Sequence, residues 1–474
     1  IVGLGGNFAH QSSAHVFKGI LQLNLLGDGH AVIGDEGGTV FALEDLHTGT
    51  VVVGSGISGL KAAIDLKEAK KDVIVVEKMP FLGGTTNLAA QYFVVVDTEP
   101  QRQAGKTLTV ADYLKRQEKA GASKAALKRT AEQLYSADEA VKWLNQNGAD
   151  LTRVVSDYQL GIAGGVSLGN RFMQVLSKKA KELGVPVKVN TKAIDILTEN
   201  GKVKGIEVEQ GKEKYKIFAD NVVLATGGFA NNPALIEKYA PEWKGLPTTT
   251  AKGSTGDAIQ MGEKLKLEVK QPVNVYLNPS MHSAGDQNVS MSAARLEGGI
   301  MVNLNGERFC DDYTPNYTTM ARLMMKQPEG KSFIIIDDQS MKSSKRLQGF
   351  LKKGYFVEAP TVADLAKKIG VPADKLENTI KRYSSFVKKG KDEDFGRTYN
   401  MKTDFTHPPF YATSTTPGIQ TTPGGISTNS FMQAVNTDGK VIPNLYVVGE
   451  AANGTATVFG LWSGKMAAQH ILSK

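Results

Sequence analysis

Gly54, Gly56 and Gly59 stand in the order G-x-G-x-x-G, and Glu77 follows about 20 residues beyond the turn. Residues of these types at this spacing can hold a dinucleotide. The glycines permit a tight turn and a close backbone approach to a pyrophosphate, and the acid accepts hydrogen bonds from ribose hydroxyls. Three further stretches offer related chemistry. Phe81-Leu82-Gly83-Gly84-Thr85-Thr86-Asn87 supplies glycines and hydroxyls suited to wrapping a diphosphate, Ala225-Thr226-Gly227-Gly228 is a second glycine turn, and Gly449-Glu450 places an acid where it can take up hydroxyls.

Such turns act only if strands and helices aim them. Val51–Val53 is an apolar strand, Leu60 to Ala69 an amphipathic helix whose N-terminus faces the pyrophosphate, and Asp72 to Val76 a second strand ending on Glu77. Asn221 to Leu224 runs as a strand into the second glycine turn, and Ile442 to Val448 as a strand into Gly449. Val187 to Ile194 and Val203 to Val208 also read as strands, with helical segments over Val110 to Ala120 and Lys124 to Asn147. A strand that ends in A-T-G-G and crosses beneath the nucleotide is characteristic of FAD enzymes, whereas NAD dehydrogenases normally lack it. The expected dinucleotide is therefore FAD.

The 474 residues allow two or three domains around a large core. The net charge of +8 is spread over lysine-bearing helices such as Lys342 to Lys353, and no basic-aromatic pattern points to nucleic acid. No apolar run approaches the ~18 residues that a membrane helix needs, so no transmembrane segment is expected. Cys310 is the sole cysteine, which excludes a disulfide framework, an iron-sulfur cluster and a C-x-x-C-H haem site. The chain begins at Ile1 without a signal peptide, and its compartment stays open. Residues 1–50 read as an appended β-rich segment: Gly37 to Leu43 looks like one strand pair of a quinoprotein-type propeller repeat, and one repeat cannot close a propeller. His10, His15, His30 and His47 fall here at irregular spacing, and no metal site is expected.

From about residue 51 to residue 474 the chain resembles the flavoproteins of the fumarate reductase/succinate dehydrogenase group, whose relatives include soluble flavocytochromes, urocanate reductases and 3-ketosteroid dehydrogenases. The resemblance is carried by Gly148-Ala149-Asp150-Leu151, Gly164-Gly165 ahead of Gln174-Val175-Leu176, Gly256-Asp257-Ala258, Gly298 to Phe309, Pro409-Phe410-Tyr411-Ala412 and the Gly418 to Ile426 turn. It implies an α/β fold, a Rossmann-like FAD-binding domain (51–274 and 409–474) interrupted by an α+β capping domain (275–408). It also implies FAD contacts from Gly54, Gly56, Ser58, Gly59, Glu77, Lys78, Gly83, Gly84, Thr85, Thr86, Ala193, Ala225, Thr226, Gly227, Gly228, Asp257, Gly449 and Glu450. Some relatives attach the flavin through a histidine in the segment matching Gly84 to Ala90; no histidine stands there, so the FAD is expected to be non-covalent.

The same resemblance departs at the positions that reduce fumarate. Relatives carry His-Pro-Thr where this chain has Asn278-Pro279-Ser280, and His-Thr where it has Thr421-Thr422 before Pro423-Gly424-Gly425. The proton-donating arginine falls near Asn316 and the relay acid at Ser292, while Arg295 persists. The loop that bears a second carboxylate-binding arginine is shortened, with Gly449-Glu450 followed almost directly by Gly454-Thr455 and Phe459-Gly460. A dicarboxylate buried in a closed pocket needs paired cations. The expected reaction is therefore hydride transfer through flavin N5 on another conjugated C=C or CH-CH substrate, with a protein proton partner. Candidates for that partner are Tyr411 and Tyr317 with its neighbour Tyr313, Arg295 matches an arginine of the relatives' proton path, and His282 is a candidate polarising group; the tyrosines and His282 have plainer readings as core, cap or loop, and Arg322 reads as a surface helix residue. With no second nucleotide fingerprint, an electron-transfer protein is the expected partner beside a small-molecule substrate. The alternative is a flavin-binding electron-transfer or structural subunit whose substrate pocket has decayed.

Overall fold

β1, Leu46–Val53, supplies the start of the larger sheet: Val51, Val52 and Val53 are buried, and the strand pairs in parallel with β2, Val73–Val76. The connection is helix α1, Ile57–Glu68, which buries Leu60, Ala63 and Ile64 on the sheet, giving the expected β-α-β unit. This computed structural model describes residues 44–89, 92–119, 122–270, 275–314, 316–422, 425–452 and 456–474. The expected strand pair at Gly37 to Leu43 lies outside them, as do Pro423, Gly424, Gly454 and Thr455 of the two C-terminal turns. β1 begins five residues before Val51, because Leu46, His47 and Thr48 pair with Ile217, Phe218 and Ala219. The 50/51 boundary drawn from the sequence therefore falls inside a strand.

Six more strands join in chain order: β3, Val187–Lys188; β4, Lys192–Glu199; β5, Lys202–Gln210; β6, Glu213–Leu224; and, after the second sheet, β12, Gln433–Val435, and β13, Val441–Val447 complete the set. The order is β12-β13-β6-β1-β2-β3, with β5 and β4 continuing antiparallel from β6. Val187 to Ile194 is two strands rather than one, since Asn190 has a φ of 52° and breaks the extension. β1, β6 and β13 run parallel, so the turns at Gly54, Ala225 and Gly449 all emerge at one edge. Ligands of open parallel sheets bind at this carboxyl edge.

The second sheet has β7, Tyr276–Ala284; β8, Gln287–Ser290; β9, Ile300–Val302; β10, Ser332–Asp337; and β11, Phe410–Thr421, in the order β8-β7-β11-β10-β9. The apolar run Phe333 to Ile336 is continuous because both faces are covered. Ile334 and Ile336 pack with Met301 and Met320, while Ile335 packs on the opposite face with Ile300 and Leu376. β11 is its middle strand, paired with β7, with β10 and with a short sixth strand, Val357–Ala359. The 408/409 boundary thus precedes a strand that belongs to this sheet, and the chain leaves the sheet only at Thr421. Three helices of this region matter below: α2, Ser292–Leu296; α3, Tyr317–Met325; and α4, Lys345–Lys352. The last helix, α5, Ala456–Leu472, returns to pack on α1. No helix of the described residues is long and apolar enough to cross a membrane.

Candidate functional site: a cavity between two glycine turns and a cap

A cavity of about 1660 Å³ is lined from both sheets, larger than the roughly 300–1,000 Å³ of ordinary small-molecule pockets. Its floor begins at the first turn. Gly54 has a φ of 109°, and a Cβ there would meet the Ala225 carbonyl oxygen at 2.2 Å. The two glycine turns therefore pack backbone against backbone, which only glycine permits. Helix α1 has no side-chain cap and no acid in its first turn, and the Ile57 amide donates to Thr86 Oγ1 at 3.1 Å. The remaining first-turn amides and the positive end of the helix dipole suit an anion.

Glu77 is buried and accepts from the Ser55 amide (3.1 Å), the Ser55 hydroxyl (2.6 Å) and the Met79 amide (2.9 Å). Lys78 Nζ donates to Thr255 Oγ1 and pairs with Asp257, both at 2.7 Å. Thr85 and Ser254 share a hydroxyl hydrogen bond of 3.0 Å, and the Ala251 amide donates to Thr85 Oγ1 at 3.2 Å. On the other side, the Glu450 carboxylate accepts from the Thr422 amide at 2.7 Å, and Thr422 Oγ1 accepts from the Phe229 amide at 2.9 Å. A Cβ on Gly228 would fall 2.2 Å from Glu450 Oε1, so the glycine leaves that carboxylate its place.

Burial raises the Glu450 pKa above its ordinary 4.5, against the hydrogen bonds from Thr422. A carboxyl whose folded pKa is raised contributes stability that is complete below pH 4.5 and is lost as pH climbs through the displaced value. Glu450→Gln apoprotein should therefore gain melting temperature relative to wild type as pH rises from acid to neutral, when the two are compared by thermal scans. In the same variant FAD retention is expected to fall by about 10-fold, since a charged acceptor has become a neutral one. An unchanged difference in melting temperature across pH would contradict the buried charge.

The site fits FAD on its own geometry. Thr226 Oγ1 lies buried in the cavity wall without a hydrogen-bond partner among the described residues, and nothing lies within 4 Å of the space a Cβ on Gly84 would take. Of the residues expected at the cofactor, Gly54, Gly56, Ser58, Glu77, Lys78, Gly83 to Thr86, Ala193, Ala225 to Gly227, Asp257, Gly449 and Glu450 line the cavity. Gly59 and Gly228 stand behind it: a Cβ on Gly59 would lie 2.0 Å from the Gly54 oxygen, so its role is to seat α1 on the turn.

The expected catalytic residues separate. Tyr317, the first residue of α3, lines the cavity, and the Arg295 guanidinium lies 4.7 Å over its ring. Arg295 is fully buried on α2; its Nη1 donates to the Asp312 carbonyl at 2.7 Å, and its Nε and Nη2 have no hydrogen-bond partner among the described residues. Tyr313 also lines the cavity and stacks on Tyr399 at 5.7 Å. Tyr411 is outside it, its hydroxyl donating to Asp338 at 3.3 Å and its pKa pushed up to about 12 by burial and by Glu358 and Asp338. His282 is also outside, with Nδ1 2.9 Å from the Ser414 carbonyl oxygen and its ring against Tyr355. Arg322 pairs with Glu242 over Trp243 at the surface.

Asn278 and Thr421 line the cavity, with Asn278 Nδ2 donating to Ser290 Oγ at 2.8 Å and Ser290 sharing a hydrogen bond with Ser292 at 3.0 Å. Asn316 lines the cavity as well and caps α3, accepting from the Thr319 amide at 2.9 Å. Two lining residues carried no sequence signal. Tyr92 sits in the connection after the Gly83-Gly84 segment, and Arg346 in the first turn of α4. Neither belongs to a motif, and only the fold brings them to one wall.

The family described as FAD binding domain matches residues 49–462. The chain is 32% identical over 414 residues to a fumarate reductase (cytochrome) of Shewanella frigidimarina, covering 85% of this chain and 72% of that protein. It is 29% identical over 339 residues to a 3-oxosteroid 1-dehydrogenase of Mycobacterium tuberculosis, covering 62% of this chain and 59% of that one. Among solved structures it is similar to the open conformation of a flavocytochrome c3 fumarate reductase, with a TM-score of 0.73 at 28% identity over 90% of this chain and 79% of that one.

Proposed function

The chain belongs to the FAD-binding family of the fumarate reductase/succinate dehydrogenase flavoproteins and is an FAD-dependent oxidoreductase acting on CH-CH groups, and from that premise we propose that its substrate is a conjugated carbonyl compound other than fumarate. The observation that carries this reading is the cap-side wall. Asn278, Thr421 and Tyr317 present neutral hydrogen-bonding groups, and Arg346 is the one half-buried cation without an ion pair among the described lining residues, where a dicarboxylate would require two. Lys78, which lines the cavity, is already committed to Asp257.

Bound FAD supplies two-electron hydride chemistry at N5. Gly54, Gly56 and the first turn of α1 would hold its diphosphate, Glu77 a ribose, and Glu450 the ribityl hydroxyls. Attachment is read as non-covalent, since no histidine stands in the segment Gly84 to Ala90. Tyr317 moves the proton to or from the substrate carbon next to the one that exchanges hydride. Arg295 sits behind the ring, so a phenolate left after donation meets a positive charge rather than apolar core. A separate electron-transfer protein exchanges electrons with the flavin.

The test is anaerobic reoxidation of the photoreduced holoprotein by a panel of conjugated acids and ketones, followed at the flavin absorbance. Acceleration by at least one enoate or enone, with fumarate inactive, is the expected result. Rapid reoxidation by fumarate alone would overturn the reading.

A further inference from the structure

We propose that Arg346 anchors a single carboxylate of the substrate, and that the wall around it selects an α,β-unsaturated monocarboxylate carrying a flat aromatic ring. The proposal rests on the enzymatic reading above and adds the substrate class. Arg346 lines the cavity half-buried and, among the described residues, makes no ion pair and no hydrogen bond. The buried guanidiniums elsewhere in the cap differ: Arg308 meets Asp312 and Asp392, and Arg397 meets Asp312. Arg346 is held by stacking instead. Its guanidinium lies 5.3 Å over the Phe350 ring, and Phe350 packs 5.8 Å from Tyr355. Stacking fixes the plane of a guanidinium while leaving its N–H edge free, and that edge matches a carboxylate in two parallel hydrogen bonds. Burial pulls the Arg346 pKa down, and Tyr92 is the only residue that opposes it. A desolvated cation without a protein partner is a group that a bound anion would complete.

The count of such cations sets the number of carboxylates. Lys345 and Lys353 share the helix or its end but are exposed, Lys106 is exposed, and Lys78 is paired. That leaves one half-buried, unpaired guanidinium among the described lining residues. The ring follows from the neighbours. Phe350 lines the cavity beside Arg346, and Tyr92, Tyr313, Tyr317 and Tyr355 line the same cavity. A flat ring seated against these aromatic side chains would bury apolar area and find offset or edge contacts.

Calorimetric titration of the oxidised, FAD-loaded protein with trans-cinnamate, cinnamamide, acrylate and fumarate tests both parts. Cinnamate should bind more tightly than acrylate or fumarate. Arg346→Met should weaken cinnamate by about 10- to 100-fold, the loss of a charge-assisted hydrogen-bonded pair, and leave cinnamamide within a factor of about 2 of wild type. Arg346→Lys should recover part of the affinity, and it keeps the question answerable if the methionine variant does not fold. FAD content should match wild type in both variants. The proposal is overturned if wild type does not bind cinnamate, if Arg346→Met binds cinnamate and cinnamamide as wild type does, or if the variants lose FAD, which would make Arg346 a cofactor ligand. Failure of the enzymatic reading has a different signature: Arg346-dependent cinnamate binding with no conjugated compound reoxidising the photoreduced flavin.

Discussion

Tyr317→Phe is expected to lower the rate of substrate-dependent flavin reoxidation by about 10²- to 10⁴-fold, the range that one positioned general acid or base contributes. The substitution removes one hydroxyl from the cavity wall and keeps the ring against which Arg295 packs at 4.7 Å. FAD content, melting temperature and substrate affinity should therefore stay near wild type. That split distinguishes a proton carrier from a packing residue, because a packing defect would move stability and retention together. Rapid-mixing reoxidation with the best substrate of the panel supplies the measurement. A decrease of less than about 10-fold would fall short of the general-acid range and shift the role to Tyr313, which also lines the cavity and whose phenol is raised by burial.

Asp312→Ala should be the most destabilising single change in the cap, by about 3–5 kcal/mol, the cost of stranding buried charge. Asp312 is fully buried and serves several partners at once. Its Oδ2 accepts from Arg308 Nη2 at 2.5 Å and faces Arg397 Nη1 at 3.5 Å, while its Oδ1 accepts from the Met301 amide at 2.6 Å. Arg308 retains Asp392 at 2.9 Å, but Arg397 has no other carboxylate among the described residues. Chemical denaturation of wild type, Asp312→Ala and Asp312→Ala/Arg397→Met gives the check. The double variant should recover part of the loss, because it no longer buries an unpaired guanidinium. Loss of under about 1 kcal/mol in the single variant would place the network in the weak class of exposed ion pairs.

The parts of the molecule legible in its sequence are those set by neighbouring residues. Val51 to Gly59 specifies strand, turn and helix because each glycine answers a local constraint, and the Ala225 and Gly449 turns follow strands whose apolar runs announce them. What escapes local reading is decided by distant partners. Leu46 to Thr48 is a polar-flanked stretch that becomes strand only because β6 extends alongside it. Arg346 and Tyr92 stand far apart in the chain, and no spacing rule links them. Tyr411 and Tyr317 read alike as tyrosines beside the cap; the sheet register sends one hydroxyl to Asp338, while the other residue begins a helix at the cavity.

β11 carries a lesson for recombining these enzymes. An exchange of caps between relatives made at residue 408 would cut away the middle strand of the sheet it aims to transplant. The strand ends at Thr421, one residue before the hydroxyl that holds Phe229 and the backbone amide that holds Glu450. A chimera that respects this architecture takes its first seam between β6 and β7 and its second after Thr422. It thereby inherits the donor's grip on the glycine turn together with the donor's substrate wall, so specificity and cofactor seating travel as one cassette.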